Sequence, residues 1–168
     1  LDGKYATWCG TVLDKAKPII VVADDDRLDE AIMRLGRIGF DQVVGYLEHG
    51  PEALESRPEL VAQVQRMTAL DVEENASDYT VIVDVRTEKE WQGGHIADSI
   101  NIPLNQLADR VHELPSDKTI VVHCQGGYRS SIAASLMQKD GYSNVFDMVG
   151  GFEAWKASQL PVAQTSAV

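Results

Sequence analysis

One of the two cysteines, Cys124, lies between an apolar run and a helical pattern, within the stretch from His123 to Ser131. Residues 119–122 are typical of a buried strand, so the cysteine is predicted to lie on a strand-to-helix loop. Backbone N–H groups that converge before a helix form an anion-binding nest, and Arg129 adds a permanent positive charge beside it. Both features favour the thiolate over the thiol, which makes Cys124 a candidate nucleophile.

The loop that follows Cys124 supplies candidate ligand-binding groups. We expect these residues to bind the substrate, largely through their backbone amides: Gln125, Gly126, Gly127, Tyr128 and Ser130. The two glycines permit the tight curvature that such a loop requires. Two roles remain open for Arg129, because a guanidinium suits either an anionic substrate or the bracing of a loop. Taken alone, a cysteine at the end of a buried strand is more often a core residue than a nucleophile.

A second apolar run, residues 81–85, ends in a charged pair, Asp84 and Arg86. From a neighbouring strand end these two side chains are expected to support the catalytic loop, with Arg86 pairing to Glu90. His123 precedes the cysteine on a strand, so its side chain is predicted to point away from that of Cys124 and to be packed rather than to act as a base. Cys9, next to a tryptophan in a predicted helix, is expected to serve packing.

The composition limits the classes of partner. With 26 acidic and 15 basic residues in 168, the formal net charge is −11, which disfavours nucleic acid and anionic membranes as partners. Apolar runs are strand-sized, and two cysteines fit a reducing compartment, so a cytoplasmic location is expected. No cofactor is required by any motif, and no metal site is expected. The four histidines lack metal spacing, and Asp24 to Asp26 are interpreted as a solvated turn and helix N-cap.

The chain resembles itself at an offset of about 100 residues. Residues 19–23 match 120–123, and Arg27 matches Arg129. Each copy has the pattern of a buried strand, a loop, an amphipathic helix ended by glycine, and a second strand. This βαβ pattern predicts an α/β fold with a parallel sheet and helices on both faces.

The first copy lacks the features that chemistry requires. Asp24 to Asp26 stand where the second copy has Cys124 to Tyr128, so the cysteine is missing, the loop is two residues shorter, and acidic groups replace the expected nest. The first copy also has no counterpart of residues 81–103. We therefore expect an inactive, truncated half-copy that belongs to a longer protein and packs its sheet edge on the second domain or on another molecule, including a homo-oligomeric partner.

These patterns predict four segments. Residues 1–55 form the half-domain, and residues 56–66 form a linker that contains a proline break and a short helix or extended piece. Residues 67–162 form the catalytic domain, and residues 163–168, which lack periodicity, form a frayed tail.

Several short motifs in residues 67–162 match one family in order and spacing, and with them the second domain resembles the rhodanese superfamily. The matching pieces are Asp84-Val85-Arg86, Glu90-Trp91, Gly94-His95-Ile96, Asn101-Ile102-Pro103, Cys124 to Ser130, and Gly150-Gly151 followed by Trp155. A departure is Ala97-Asp98-Ser99, where the family usually has a small turn. In this family His95 is usually structural.

The resemblance implies a sulfurtransferase with Cys124 as the sulfur carrier. Cys124 would take a sulfane sulfur from thiosulfate or a low-molecular-weight persulfide and pass it to cyanide, a thiol or sulfite. The six-residue loop from Cys124 to Arg129 suits sulfur, whereas the phosphatase and arsenate reductase relatives have a loop one residue longer. A non-catalytic interaction module stays open as the main alternative, and a phosphatase as a lesser one.

The first copy is similar to the inactive partner of tandem rhodaneses. More narrowly, it is similar to the stretch that follows a metallo-β-lactamase-like persulfide dioxygenase domain in fused proteins. The resemblance therefore implies an upstream domain of that kind as a partner, although its histidine-rich metal motif is not among these 168 residues.

Overall fold

The computed structural model describes residues 4–164. Contacts divide the chain into two units, with the boundary between Gln63 and Val64. The predicted features of residues 165–168 lie outside the described residues.

The first unit contains a two-stranded parallel sheet and two helices. Strand β1 pairs with β2, and their side chains pack on a small core of Val21, Ala31, Leu35 and Phe40. Cys9 packs against this core, as predicted. The elements are α1 (Tyr5–Val12), β1 (Ile19–Val21), α2 (Leu28–Gly36) and β2 (Val43–Tyr46), with 3-10 turns at Asp25–Arg27, Gly50–Leu54 and Pro58–Leu60.

The second unit has a five-stranded sheet in the order β3-β7-β6-β4-β5, and every pair of neighbours is parallel. Its strands are β3 (Gln65–Met67), β4 (Thr80–Asp84), β5 (Ile100–Asn101), β6 (Thr119–His123) and β7 (Val145–Met148). Its helices are α3 (Ala69–Glu74), α4 (Glu88–Gln92), α5 (Leu107–Arg110), α6 (Tyr128–Lys139) and α7 (Gly151–Ala157). The predicted α/β class, with a parallel sheet and flanking helices, is confirmed.

Burial explains why β6 occupies the middle of this sheet. Its residues from Ile120 to His123 are all buried, as expected for a strand of a parallel sheet that is covered on both faces. Helix α6 then packs back through Ala133, Ala134 and Met137. The carboxyl end of β6, where the chain reaches Cys124, therefore opens at the centre of one sheet edge, which is the usual place for a site in such folds.

Two predicted boundaries differ from the structure. Gln65 and Arg66, assigned to the linker, lie in the edge strand β3, which pairs with β7. Ala163, assigned to the frayed tail, exchanges two backbone hydrogen bonds of 2.9 Å with His95. Both segments are held by backbone hydrogen bonds to residues far away in the sequence. The local pattern of apolar residues therefore does not predict them.

Candidate active site

Cys124 lies directly after β6 with its side chain turned into the loop. The residue is only 2% exposed, and its Sγ accepts a hydrogen bond of 3.1 Å from the backbone N–H of Gly127. Gly127 has a φ of +106°, a conformation that side chains rarely adopt, and this backbone turn directs its N–H toward the sulfur. The loop therefore places one backbone N–H donor beside the sulfur, in line with the predicted anion-binding nest.

Helix α7 supports the loop from below. The N–H of Phe152 donates to the carbonyl of Cys124 at 2.7 Å, and that of Glu153 donates to the carbonyl of Gln125 at 3.0 Å. Gly151 has a φ of +57°, and a Cβ at this position would overlap the Cys124 carbonyl oxygen. Glycine is therefore needed here so that the two backbones can approach. In the sequence Gly151 stands out only as part of a motif, and two consecutive glycines before a helix are the available signal.

Arg129 is held by Glu90, which comes from α4. Its two terminal nitrogens donate to the two carboxylate oxygens at 2.8 Å each. This hydrogen bonding, with help from Thr87, lowers the pKa of Glu90 from 4.5 to about 2. The pKa of Arg129 is raised, first by Glu90 and then by the sulfur of Cys124, which it also contacts. Of the two roles left open for Arg129, the pairing with Glu90 fits the bracing of the loop.

Asp84 and Arg86 form a buried ion pair under the loop. Arg86 Nε donates to both carboxylate oxygens at 3.0 and 2.9 Å, and Nη2 donates to Oδ2 at 2.6 Å. Arg86 also donates to the side-chain oxygen of Gln125 at 3.2 Å and to the carbonyl of Gly94 at 2.8 Å. The predicted pairing of Arg86 with Glu90 is wrong, because the backbone bend after β4 brings the Asp84 carboxylate nearer.

Two further residues complete this support. Asn101 on β5 donates through Nδ2 to the carbonyls of Asp84 and Arg86 at 2.9 and 3.0 Å, which fixes the end of β4. The ring of Phe152 lies under the Arg86 guanidinium, 4.0 Å from its centroid. Neither Asn101 nor Phe152 is predicted from the sequence as a site residue, because each supports the site indirectly, through its contact with Arg86.

His123 is fully buried beside the ion pair. Its Nε2 is 3.6 Å from Asp84 Oδ2 and has no hydrogen-bond partner among residues 4–164. Burial lowers the pKa of His123, and it outweighs the opposite effect of Asp84, whose charge Arg86 already neutralises. The imidazole is therefore neutral and packed. His95 also has a structural environment, since its ring stacks on Trp91 with centroids 3.8 Å apart.

The remaining predicted site residues fall into two groups. Ser130 is buried and donates to the carbonyl of Gly127 at 3.1 Å, so it shapes the loop from inside. Tyr128 is exposed, and a Cβ on Gly126 would meet open space. Within the described part of the chain, no three His, Cys, Asp or Glu side chains come together as a metal site. None of the helices in that part is long and apolar enough to cross a membrane.

Comparison with known proteins gives a family and several relatives. The model of the rhodanese-like domain matches residues 68–158. The chain is similar to the thiosulfate sulfurtransferase GlpE of Pseudomonas savastanoi pv. phaseolicola, with 38% identity over 78 residues that cover 46% of this chain and 74% of the relative. It is also similar to the HTH-type transcriptional regulator Rv0324 of Mycobacterium tuberculosis, with 32% identity over 149 residues. That match covers 88% of this chain and 57% of the regulator.

Among solved structures, a rhodanese-related protein from Thermoplasma volcanium is similar, with a TM-score of 0.57 and 34% sequence identity. The match covers 60% of this chain and 99% of that protein.

Proposed function

The chain belongs to the rhodanese-like domain family, and from this premise we propose that it is a sulfurtransferase with Cys124 as the sulfur carrier. The observation that carries the proposal is the hydrogen bond from the Gly127 N–H to Cys124 Sγ, in a loop braced by Arg129 and Glu90. A soft nucleophile held by preset donors suits a reaction in which sulfur is both attacked and released. The sulfurtransferase name of a relative supports the same reaction class.

In the first half of the proposed reaction, the Cys124 thiolate attacks the outer sulfur of thiosulfate or of a low-molecular-weight persulfide. A bond forms between Sγ and that sulfur while the donor's sulfur–sulfur bond breaks. Sulfite or a thiolate leaves with the electron pair, and Cys124 becomes a persulfide. The loop N–H groups stabilise the negative charge before and after transfer, so no reorganisation of water is needed.

In the second half, cyanide, a thiolate or sulfite attacks the outer sulfur of the persulfide. The bond between the two sulfurs breaks, and Cys124 leaves as the thiolate that began the cycle. The same loop must stabilise the thiolate and the persulfide anion of Cys124. For this purpose, N–H donors that point at the sulfur are more useful than a distant general base. The buried, neutral His123 agrees with a mechanism that needs no histidine.

The size of the loop supports sulfur as the group transferred. Only six residues run from Cys124 to Arg129, and the Gly127 amide already lies 3.1 Å from the sulfur. A tetrahedral phosphoryl group needs more donors spread around a wider cradle. We therefore propose sulfur transfer in preference to the phosphatase alternative.

The test is the intact protein mass after brief incubation with thiosulfate and, separately, with a low-molecular-weight persulfide. We expect a gain of one sulfur that disappears when cyanide or a thiol is added. Cys9→Ser should behave like the unchanged protein, and Cys124→Ser should gain nothing.

Folding of each variant is checked by circular dichroism. If folded protein with a free Cys124 thiol gains no sulfur from either donor, the proposal fails and the non-catalytic interaction module becomes the better interpretation.

A further inference from the structure

A cleft of about 380 Å³ adjoins the cysteine loop in the second unit. Gln125, the neighbour of Cys124, lines it together with Phe152, and Lys89 of α4 and Lys156 of α7 contribute the basic groups. A cleft of this size falls in the range of small-molecule sites, which is roughly 300–1,000 Å³. It is more room than cyanide or sulfite requires.

The charges in this cleft are not all available to a ligand. Arg86 is engaged by Asp84, and the Glu90 carboxylate is engaged by Arg129. Among the described residues, Lys89 and Lys156 have no carboxylate within ion-pair distance, and Lys156 Nζ lies 5.4 Å from the centroid of the Phe152 ring. In a chain with a net charge of −11, two such lysines form a local positive site.

The charge beside the sulfur itself is different. Arg129 contacts Cys124, but both carboxylate oxygens of Glu90 already bind its guanidinium. An anion whose charge lies on the reacting sulfur therefore meets a cation that is already paired. A ligand whose charge lies several bonds from its sulfur can reach the two lysines instead, and Glu90, the carboxylate that lines the same cleft, is already paired with Arg129.

We infer that Lys89 and Lys156 form a subsite for the carboxylate of a low-molecular-weight organic thiol or its persulfide. The inference rests on the proposed function and narrows it, since it names the chemical class of the sulfur-exchanging ligand. The thiol sulfur lies at the loop beside Gln125, and its carboxylate pairs with the two lysines that line the same cleft. Lys89 and Lys156 determine specificity and take no part in bond breaking.

As an acceptor, such a ligand completes the cycle without any further reactant. Its thiolate attacks the outer sulfur of the Cys124 persulfide, and a bond forms between these two sulfurs. The bond from Sγ to the outer sulfur breaks, and its electron pair stays on Cys124. The product is the ligand's own persulfide.

The test compares two acceptors that differ only in charge, mercaptopropionate and its methyl ester, after Cys124 has been loaded from thiosulfate. The measured quantity is the ratio of kcat/KM for the acid to kcat/KM for the ester. In a Lys89→Gln, Lys156→Gln double variant we expect this ratio to fall about three- to tenfold, the size typical of two exposed ion contacts. The fall should lie in KM of the acid and should shrink in high salt.

A matched control removes two lysines elsewhere in the same unit, with Lys118→Gln and Lys139→Gln. This variant has the same net charge as the first, so a general electrostatic effect would change both ratios equally. The inference predicts that the control keeps the ratio of the unchanged protein. An equal ratio in the unchanged protein and the Lys89, Lys156 variant would overturn the subsite while leaving sulfur loading, and hence the proposed function, intact.

Failure of thiosulfate to load Cys124 would instead count against the proposed function. The subsite is then tested without sulfur transfer, by the rates at which maleimidobutyrate and N-ethylmaleimide alkylate Cys124, followed by peptide mass. A preference for the carboxylated reagent that depends on the two lysines supports the subsite, and no such dependence overturns it.

Discussion

In each unit a glycine with a positive φ approaches the backbone carbonyl at a strand end, but the residues around the two strand ends differ. In the second unit, Gly151 follows β7 with a positive φ and approaches the carbonyl of Cys124 so closely that a Cβ would overlap it. In the first unit, Gly50 follows β2 with a φ of +54°, and a Cβ there would overlap the carbonyl of Ala23. In this contact Ala23 corresponds to Cys124, whereas the sequence comparison aligned Cys124 with Asp24, one residue later.

The surroundings of these two strand ends differ. Strand β6 is paired on both edges, and β4 brings the buried Asp84 and Arg86 beneath its loop. Within residues 4–164, strand β1 pairs only with β2, and the side chain of Ile20 on this strand is exposed. We propose that the first unit is a partial copy of the second. Both units thus close a strand end with a glycine, and the second unit adds the cysteine, the Gly127 N–H beside its sulfur and the arginine that pairs with Glu90.

One comparison extends beyond the second unit. The match to the regulator Rv0324 spans 149 residues, whereas the family model matches residues 68–158. The longer match must therefore include part of the first unit, so residues of both units have similar counterparts in that regulator.

The largest expected effect comes from moving the cysteine. Cys124→Ser should lower sulfur transfer by at least about a thousandfold, because it removes the nucleophile. Ala23→Cys, added to that variant, should restore none of it, since the first unit has Asp24 and Asp25 where the nest would be. The measurement is sulfur gain by mass. Transfer regained through the thiol that Ala23→Cys introduces would show that the scaffold alone suffices.

The paired glycines provide the next effect. Gly151→Ala should lower the free energy of unfolding of the second unit by about 2–4 kcal/mol, through a strained φ and a displaced Cys124 carbonyl. Sulfur transfer should fall more than tenfold. Gly50→Ala should destabilise the first unit and leave transfer unchanged.

The stability of each unit is measured by urea unfolding followed through tryptophan fluorescence, because Trp8 reports on the first unit, and Trp91 and Trp155 report on the second. Equal losses of transfer in both variants would contradict the comparison.

A smaller effect is expected from the brace on the loop arginine. Glu90→Gln should lower kcat/KM about three- to tenfold because Arg129 loses its carboxylate partner. Since the folded pKa of Glu90 is about 2 against 4.5, the unfolded chain takes up this proton first as the pH falls. The stabilisation by this pair is therefore present above about pH 4.5 and is lost toward pH 2, and the variant should lack that part of the pH dependence.

The first unit offers the control for this brace. Glu30 lies 3.5 Å from Arg27 and 3.3 Å from Arg34, so Glu30→Gln removes arginine–carboxylate contacts away from the cysteine loop. Activity and acid unfolding are measured for both variants. A loss of sulfur transfer in Glu30→Gln as large as that in Glu90→Gln would show that the pairing of Arg129 matters no more for transfer than the pairing of Arg27.

The smallest effect concerns His123, which has no histidine counterpart at the end of β1. Burial lowers the pKa of His123 in the folded protein. Below about pH 6.5 the unfolded chain therefore binds a proton at this histidine that the folded chain does not bind. Stability should then rise with pH through the window that ends near pH 6.5, by up to about 1.4 kcal/mol per pH unit. His123→Gln should flatten this slope in urea unfolding, and exposed His112→Gln should not. An unchanged slope in His123→Gln would argue against a neutral, buried imidazole.

Short-range patterns carried the prediction of the fold class and of the candidate nucleophile. Three consecutive apolar residues, 120–122, shortly before Cys124 and a helical stripe after it are local signals, and β6 and α6 formed where these signals lay. Strand β3 was missed because it has three residues, and Gln65 and Arg66 are polar and exposed. Its pairing with β7, about 80 residues later in the chain, is a long-range property.

The strand-to-helix loop at Cys124, the glycines in it and the parallel α/β class were predictable from the sequence, because each depends on neighbouring residues. The pairing of the charged side chains became visible with the fold. Glu90 binds Arg129 across 39 residues, and Arg86 turns back to Asp84 instead. The physical reason is that the parallel sheet brings the carboxyl ends of β4 and β6 to one edge, so the choice of ion-pair partner follows from three-dimensional distance and not from spacing along the chain.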